Sequence, residues 1–396
     1  MRKLRIIVSG FIGLYPTGGV TWDYIQYVLG LKQLGHDVYY IEDTGQYATY
    51  RISERAWDDP YDTVNYLKSV MESFGLADRW AYRCTYSRKC YGLSTGQVKE
   101  ICSTADVFIN VSAASVMRNE YQRIPARVLI DSDPMFTQLQ SFEEPTGNGD
   151  PNYATTPFTF NDYTHYFTFG ENIGSPDCLI PQHGFKWQTT RQPICIQLWR
   201  NELTTPPKFA FTTVMNWSVR SKLEYGGKSY GQKDVEFIKF ADLPALFGDA
   251  EFNINLAVSK KAENPPDKSQ LQASGWKISE PGKTIATPDA YRSYIQNSAA
   301  EFSVAKETYV SSNSGWFSCR SACYLAATRP VVTQETAWSK YIPSGQGVIA
   351  FTDKASALDA VREIFGNYDL HSRRALEIAG DYFDSNMVLN KLINGL

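Results

Sequence analysis

The sequence predicts an α/β protein made of two Rossmann-like, doubly wound domains facing a central cleft. Three observations predict it. Short apolar runs alternate with amphipathic stretches along nearly the whole chain, the pattern of repeated strand–helix–strand crossovers. At 396 residues the chain exceeds what one hydrophobic core usually organises. Near residues 185–210 the texture changes to the Thr- and Pro-rich "TTRQPICIQLW" and "TTPPK", which separates two such series. The expected organisation is a first domain over 1–190 and a second over 191–375. A closing helical segment over 376–396 is expected to pack back on the first.

The first series opens with "LRIIVSG", a short apolar run ended by glycine, as expected of a parallel strand buried on both faces. In "VTWDYIQYVLGLKQLGH", Val20, Tyr24, Tyr27, Val28, Leu31 and Leu34 recur at helical spacing, and Gly35 stops the helix. "DVYYIED" is the next strand, which completes a right-handed βαβ unit. "TGQVKEICSTA" reads as a helix, and "DVFINVS", "ARVLIDSD" and "HYFTFGEN" read as strands.

The second series follows the same logic. "FAFTTVMNW" is a strand, "DVEFIKFADLPALF" a helix and "FNINLAV" a strand. "PDAYRSYIQNSA" is a helix with Pro288 near its start, and "EFSVAKETYV" runs from strand into loop. "GWFSCRSACYLAA" is a helix, and "RPVVTQE" and "GVIAF" are strands. "KASALDAVREIF", "HSRRALEIAGDYF" and "DSNMVLNKLIN" are helices. Ligands of such folds bind at the carboxyl ends of the strands. Those ends are expected at residues 10–19, 110–115, 131–137, 212–218, 311–321 and 333–338.

Composition narrows the function classes. Thirty-nine basic and 42 acidic residues leave a net charge of −3, which gives no whole-chain footprint for nucleic acid or acidic lipid. The seven cysteines form no CxxC pair, so zinc and redox motifs are absent, and reduced thiols in the cytoplasm are expected. "MRKLRIIVSGFIGLY" has the outline of a signal peptide, but Ser9 and Gly10 break its short apolar run, and a buried strand suits it better. No stretch reaches the roughly 18 apolar residues of a membrane span.

Two stretches carry chemistry. In "SGFIGLYPTGGVTWDY" the glycines Gly10, Gly13, Gly18 and Gly19 are spaced G-x2-G-x4-G-G. That spacing is neither the G-x-G-x-x-G of dinucleotide folds nor a Walker loop. Gly18 and Gly19 permit close backbone approach, and the helix start beyond them offers free N–H groups to an anion. In "SSNSGWFSCRSACYLAATRPVVTQETAWSKYIP", Ser314, Gly315, Ser318 and Ser321 gather at the start of an apolar helix. Hydroxyls, backbone N–H groups and Arg320 there suit a phosphate. The competing readings are a tight turn for the first stretch and a capping cluster for the second. "DSDP" at 131–134 adds a D-x-D. It could hold a divalent ion on a diphosphate, or its Asp131 and Asp133 could touch an acceptor.

These motifs in this order resemble nucleotide-sugar-dependent glycosyltransferases of the B-type fold. "YPTGGVTWDYIQYVLGLKQLGHDVYYIED" resembles their common opening, and "GWFSCRSACYLAATRPVV" followed by "QET" resembles their donor signature. "IDSDPMFTQLQ", "FTFGENIG", "FTTVMNW" and "YGQKDVEF" look like a bacterial branch of these enzymes. The resemblance implies transfer of a sugar, with a UDP-sugar as co-substrate, no cofactor and no metal. It also implies an acceptor-side first domain and a nucleotide-sugar second domain. Ser314, Gly315, Ser318, Arg320 and Ser321 would meet the diphosphate, with Gly18 and Gly19 against it. Glu335 and Thr336 would lie near the sugar. Thr212, Thr213 and Asn216 would border the donor, and Lys233 would supply counter-charge. The pattern departs at Cys319, Arg329 and Ala337.

An inverting transfer needs a base at the acceptor hydroxyl. Asp23, read as lying in the first turn of the helix after the glycines, is the leading candidate. A first-turn acid also serves simply to complement the helix dipole. His165 is an acceptor-side alternative, as is His183, while His36 reads as a turn residue. The acceptor is a hydroxyl group of open class. One variant is a hydroxylated base in DNA, for which "RKLR", Arg320 and "SRRALE" would have to form a local basic face. Two other classes compete, a nucleotide-sugar epimerase and a non-catalytic nucleotide-sugar-binding relative.

Overall fold

The computed structural model describes residues 2–46, 59–140, 159–201, 208–218, 222–259, 262 and 264–396. The "TTPP" part of the Thr/Pro-rich stretch lies outside them. The chain forms two compact units. One comprises residues 1–169, 181–193 and 385–396, the other 170–180 and 194–384.

The first unit holds an eight-stranded sheet. Its strands are β1 (Arg5–Ser9), β2 (Asp37–Glu42), β3 (Trp80–Arg83), β4 (Cys90–Gly92), β5 (Val107–Val111), β6 (Ala126–Asp131), β7 (His165–Thr168) and β8 (Trp187–Thr189). Their order is β4-β3-β2-β1-β5-β6-β7-β8, and all pairs are parallel except β3–β4. β1 lies in the middle, where both faces are covered, and Ile6, Ile7 and Val8 are fully buried. That is why the run is continuously apolar rather than alternating.

Helix Gly18–Gln33 crosses from β1 to β2, and Gly35 closes it at φ +89°. Helix Ser385–Asn394 belongs to this unit and lies against it at Gly30. A Cβ on Gly30 would sit 2.5 Å from Leu389 Cδ1, so the two helices meet almost backbone to side chain. Helix Thr95–Thr104 is fixed by a capping box between Ser94 and Gln97.

The second unit holds a wholly parallel six-stranded sheet and a separate hairpin. In chain order the strands are β9 (Ala210–Asn216), the hairpin β10 (Leu223–Tyr225) and β11 (Lys228–Tyr230), then β12 (Glu251–Ala257) and β13 (Trp276–Ser279). β14 (Ala300–Ser303), β15 (Val331–Gln334) and β16 (Val348–Phe351) complete it. The sheet order is β13-β12-β9-β14-β15-β16. Phe211, Phe252, Phe302, Val332 and Phe351 join Trp276, Phe237 and Phe240 in its core.

The helix expected over "DVEFIKFADLPALF" is instead three short pieces: Lys233–Phe237, the 3-10 turn Ile238–Phe240, and Leu243–Leu246. Pro244 has no N–H to offer the Phe240 carbonyl, so a helix through Phe240 cannot run on past it, and the last piece starts afresh with Pro244 in its first turn. The helix expected from Gly315 begins only at Cys319, because Gly315 sits at φ +73°.

Candidate active site

Parallel pairing puts the carboxyl ends of β9, β14 and β15 on one edge of the second sheet. The turn before helix Cys319–Ala326 is built there. Ser314 Oγ donates to the Tyr309 carbonyl and accepts from Trp316 N–H, both at 3.1 Å. Gly315 N–H donates to the Thr336 carbonyl at 2.6 Å, and Thr336 Oγ1 donates back to the Trp316 carbonyl at 2.7 Å. Ser314, Gly315 and Thr336 are therefore brought together in one turn, with both hydroxyls bonded to the backbone of Tyr309 and Trp316. Gly315 is required: a Cβ there would lie 2.4 Å from Asn172 N.

Ser318 is the N-cap of the helix but makes no side-chain capping bond. The Ser318 hydroxyl therefore takes up none of the first-turn N–H groups. Helices Thr95–Thr104, Pro288–Gln296 and Lys354–Gly366 are all capped, by Ser94, Thr287 and Asp353. Ser321, third residue of the helix, is fully buried, and its Oγ has no partner among the described residues.

Arg320 requires correction. Its guanidinium pairs with buried Glu301, donates to the Val214 carbonyl, and reaches Ser303 Oγ at 2.8 Å. Burial works against its charge, yet Glu301 more than offsets this and holds its pKa above the ordinary arginine value. All three nitrogens are engaged, so Arg320 is a strut between β14, β9 and the helix rather than a hand for phosphate.

Thr212 and Thr213 are corrected as well: they lie in the middle of β9, not at its end. Thr212 Oγ1 bonds Ser298 Oγ and Tyr324 Oη, each at 2.6 Å. Asn216 does close the strand and is exposed.

Lys233 follows the edge. Asp234 N–H donates to the Trp217 carbonyl at 3.1 Å and Glu307 N–H to the Gln232 carbonyl at 3.3 Å. These bonds set Lys233 and Lys306 on adjacent segments, with Lys306 Nζ 5.1 Å from the Tyr309 ring centre. Sequence reasoning missed Lys306. Its signal was available: a lysine directly after a buried strand in "EFSVAK". Glu335 is half-buried at the end of β15, whereas neighbouring Gln334 is tied to Glu236 at 2.6 Å. Arg329 lies away from this chemistry, fully buried and bonded to the Gln296 carbonyl and Tyr368 Oη. Ala337, where glycine is common in the resembled enzymes, adopts φ +75°.

In the first unit the glycine-loop helix starts at Gly18 itself, so Gly18 and Gly19 are its first two residues. Thr17, its N-cap, makes no side-chain capping bond, as at Ser318. Neither Gly18 nor Gly19 needs positive φ, so a tight turn does not account for them. Gly10 is different: a Cβ there would enter the Tyr24 ring at 2.3 Å.

Asp23 lies in the second turn, not the first, because the helix begins at the glycines. It is half-buried, and its carbonyl accepts from Gln192 Nε2 at 2.9 Å. Before that helix, buried Glu42 holds the turn Ile12–Leu14. It accepts from Gly13 N–H at 2.8 Å, Leu14 N–H at 2.6 Å and Tyr40 Oη at 2.8 Å.

Asp131 and Asp133 follow the carboxyl end of β6. Asp131 is fully buried and accepts from Gln138 Nε2 at 2.8 Å, Thr168 Oγ1 at 2.6 Å and Asp133 N–H at 3.0 Å. Burial raises its pKa, and hydrogen bonds from Thr137, Thr168 and Gln138 oppose the rise. It organises the edge from below rather than reaching an acceptor. Non-glycine residues in the left-handed region collect here: Ser112 at φ 60°, Ala113 at 52° and Met135 at 74°. Such strain persists where surrounding structure enforces it, and functional sites are where it concentrates. Ser112 Oγ bonds Ser132 Oγ at 2.6 Å and accepts from Tyr24 Oη at 3.3 Å.

His165 is corrected: it opens β7, at the amino end of the sheet, with Nδ1 2.8 Å from Thr164 Oγ1. His36 accepts from Leu4 N–H at 3.2 Å and is structural.

No family model matches the chain, and no curated protein matches it by sequence. Solved structures do. An alpha-glucosyltransferase in complex with UDP and a 13-mer DNA containing an HMU base aligns at TM-score 0.61 and 10% identity, covering 99% of both chains. A glycosyltransferase involved in avilamycin A biosynthesis aligns at 0.55 and 12%, covering 99% of this chain and 96% of that one. The Anabaena protein HepE in complex with UDP aligns at 0.53 and 9%, covering 100% of both. At these identities the likeness is one of architecture, and it spans the whole chain: this protein has the B-type glycosyltransferase fold, with its two Rossmann-like units.

Proposed function

We propose that the protein transfers a sugar from a UDP-sugar to a hydroxyl acceptor. The observation that carries this reading is the gathering of the start of helix Cys319–Ala326 with Lys233, Lys306, Asn216 and Glu335 at the carboxyl ends of the second sheet's strands. First-turn N–H groups and two lysines suit a diphosphate without a metal, by helix dipole and counter-charge. Glu335 suits the sugar hydroxyls, as an acceptor at a strand end. The likeness to UDP-bound structures supports the same nucleotide.

In the first unit Gly18 and Gly19 offer backbone donors to an anionic group of the substrate. Asp23, on the same helix, serves as base if the transfer inverts configuration. The acceptor side takes its shape from Asp133 and the strained segment beside it. The reading places the enzyme in the cytoplasm, in keeping with seven cysteines that are all free thiols. Among the described residues no helix is long and apolar enough to cross a membrane.

The experiment is nucleotide release from a panel of UDP- and other nucleotide sugars, with candidate acceptors and with or without chelator. Release from a UDP-sugar that depends on acceptor and survives chelation is expected. Release of free sugar without acceptor would favour the epimerase class. Binding with no turnover would favour a non-catalytic relative. A modified DNA base as acceptor predicts a salt-dependent gel shift, which the net charge of −3 does not favour.

A further inference from the structure

We infer that Glu42 is a positioning residue: its buried carboxylate fixes the turn Ile12–Leu14 and, through it, the first N–H groups of helix Gly18–Gln33 for substrate. This rests on the sugar-transfer reading and adds to it a residue that touches no substrate.

The geometry is specific. Glu42 is fully buried at the carboxyl end of β2, and both its oxygens are used on the loop, Oε2 for Gly13 N–H and Oε1 for Leu14 N–H. Tyr40 locks the arrangement, since its Oη donates to Glu42 and accepts from Ile12 N–H at 3.0 Å. Three consecutive backbone donors of this buried turn thus end on one side-chain pair. The loop cannot shift without leaving a buried carboxylate short of donors, which makes the anchor stiff.

Gly13 fits only because it lacks a side chain: a Cβ would lie 3.2 Å from Glu42 Oε1 and 3.0 Å from Thr63 Cγ2. Beyond the turn, Tyr15 N–H returns to the Phe11 carbonyl at 3.0 Å and Thr17 N–H to the Tyr15 carbonyl at 2.7 Å. The chain then enters the helix at Gly18. Only a short, internally bonded link separates the anchor from the uncapped helix start.

Burial pushes the Glu42 carboxyl up to about 7, against the pull of its three donors. The titratable groups that interact with it are Tyr40 on β2 and Tyr82 on β3; Tyr24 on the helix faces Tyr40, and Asp43 and Cys84 face Tyr82. Burial moves Tyr40 and Tyr82 upward, away from neutrality. A protonated carboxyl keeps fewer acceptor sites for the two backbone donors. The turn is therefore held more firmly above neutral pH than below it.

The test compares the full-length wild type with Glu42→Gln and Glu42→Asp. Amide hydrogen exchange is read over residues 10–17, and kcat and KM are measured with a UDP-sugar from about pH 6 to pH 8. Expected for Glu42→Gln is at least a several-fold faster exchange of the Gly13 and Leu14 amides. About a tenfold loss in kcat/KM should come chiefly through KM, and the wild-type inflection near pH 7 should vanish. Glu42→Asp keeps the charge and should retain the inflection, which covers the case in which Glu42→Gln folds poorly. Unchanged exchange, or faster exchange with unchanged KM and pH profile, overturns the inference. Failure of the wild type to release nucleotide from any donor counts against sugar transfer instead. The exchange comparison decides the anchor in either event.

Discussion

Replacing Arg320 with Met separates the two roles available to that residue. If it is the strut described above, the variant leaves Glu301, fully buried in the middle of the second sheet, without its counter-charge. Removing one partner of a buried, hydrogen-bonded ion pair costs about 3–5 kcal/mol, because the remaining charge is stranded away from water. Two further bonds go with it, to the Val214 carbonyl and to Ser303, and Met restores only part of the packing.

For a unit of this size, each kcal/mol lowers the melting temperature by roughly 2–4 °C, so a drop of about 10 °C is expected. The assay is thermal unfolding of Arg320→Met, Glu301→Leu and the double variant, alongside UDP affinity by calorimetry. Each single change should destabilise strongly, and the double variant should recover much of the loss, since two apolar groups replace the pair together. An Arg320→Met protein with wild-type melting and an affinity for UDP reduced tenfold or more would refute the strut and restore Arg320 as a phosphate ligand.

Two other expectations follow from the geometry. Gly315→Ala forces a side chain into φ +73° and into Asn172 N, at a combined cost of roughly 2–4 kcal/mol. Chemical denaturation should show that loss, and a change below about 0.5 kcal/mol would mean the turn is not packed as described. Glu42 makes stability depend on pH in a fixed direction. Its carboxyl is raised from 4.5 to about 7 in the folded state, so its contribution is fully present below the unfolded value and lost as pH rises through about 7. Between pH 4 and pH 8 the wild type should therefore lose roughly 3 kcal/mol relative to Glu42→Gln, measured by denaturant titration at each pH. A constant difference between the two proteins would refute a raised carboxyl.

The strands that matter most were legible because parallel, two-faced burial writes itself as an unbroken apolar run. β1, with Ile6, Ile7 and Val8, and β6, with Val128, Leu129 and Ile130, are of that kind, whereas β9 and β12 carry threonines or asparagines among their apolar residues and were legible from the flanking pattern. β3 and β13 escaped, since four residues each, "WAYR" and "WKIS", carry too little pattern to stand out from loops. The start of the first helix was legible, since Thr17 or the glycines could open it, and the helix does begin at Gly18 with Thr17 as its N-cap. Counted from Gly18, Asp23 falls in the second turn, one turn later than read.

Arg320 could not be assigned from its own neighbourhood, because its partner Glu301 lies nineteen residues away, buried in β14. His165 shows the complementary limit. "HYFTFGEN" was correctly a strand, but direction within the sheet decides which end meets ligand, and the histidine opens it. The turn at 314–316 and its junction with Thr336 were legible as a cluster, because glycine and serine there have few other uses. Lys306 and the strained backbone at Ser112, Ala113 and Met135 were not read, the latter because left-handed non-glycine backbone leaves no mark in sequence.

The threading of the chain has a consequence for synthesis. Helix Ser385–Asn394 leaves the ribosome only after the whole of the second unit, yet Leu389 packs where Gly30, some 360 residues earlier, has made room for it. The first helix must therefore wait, with its Gly30 face uncovered, while the whole of the second unit is translated. At typical elongation rates of about 5–20 residues per second that wait lasts tens of seconds. During it a nascent protein would be open to chaperones and proteases, and a ribosome that stalled before residue 385 would leave that face bare for good.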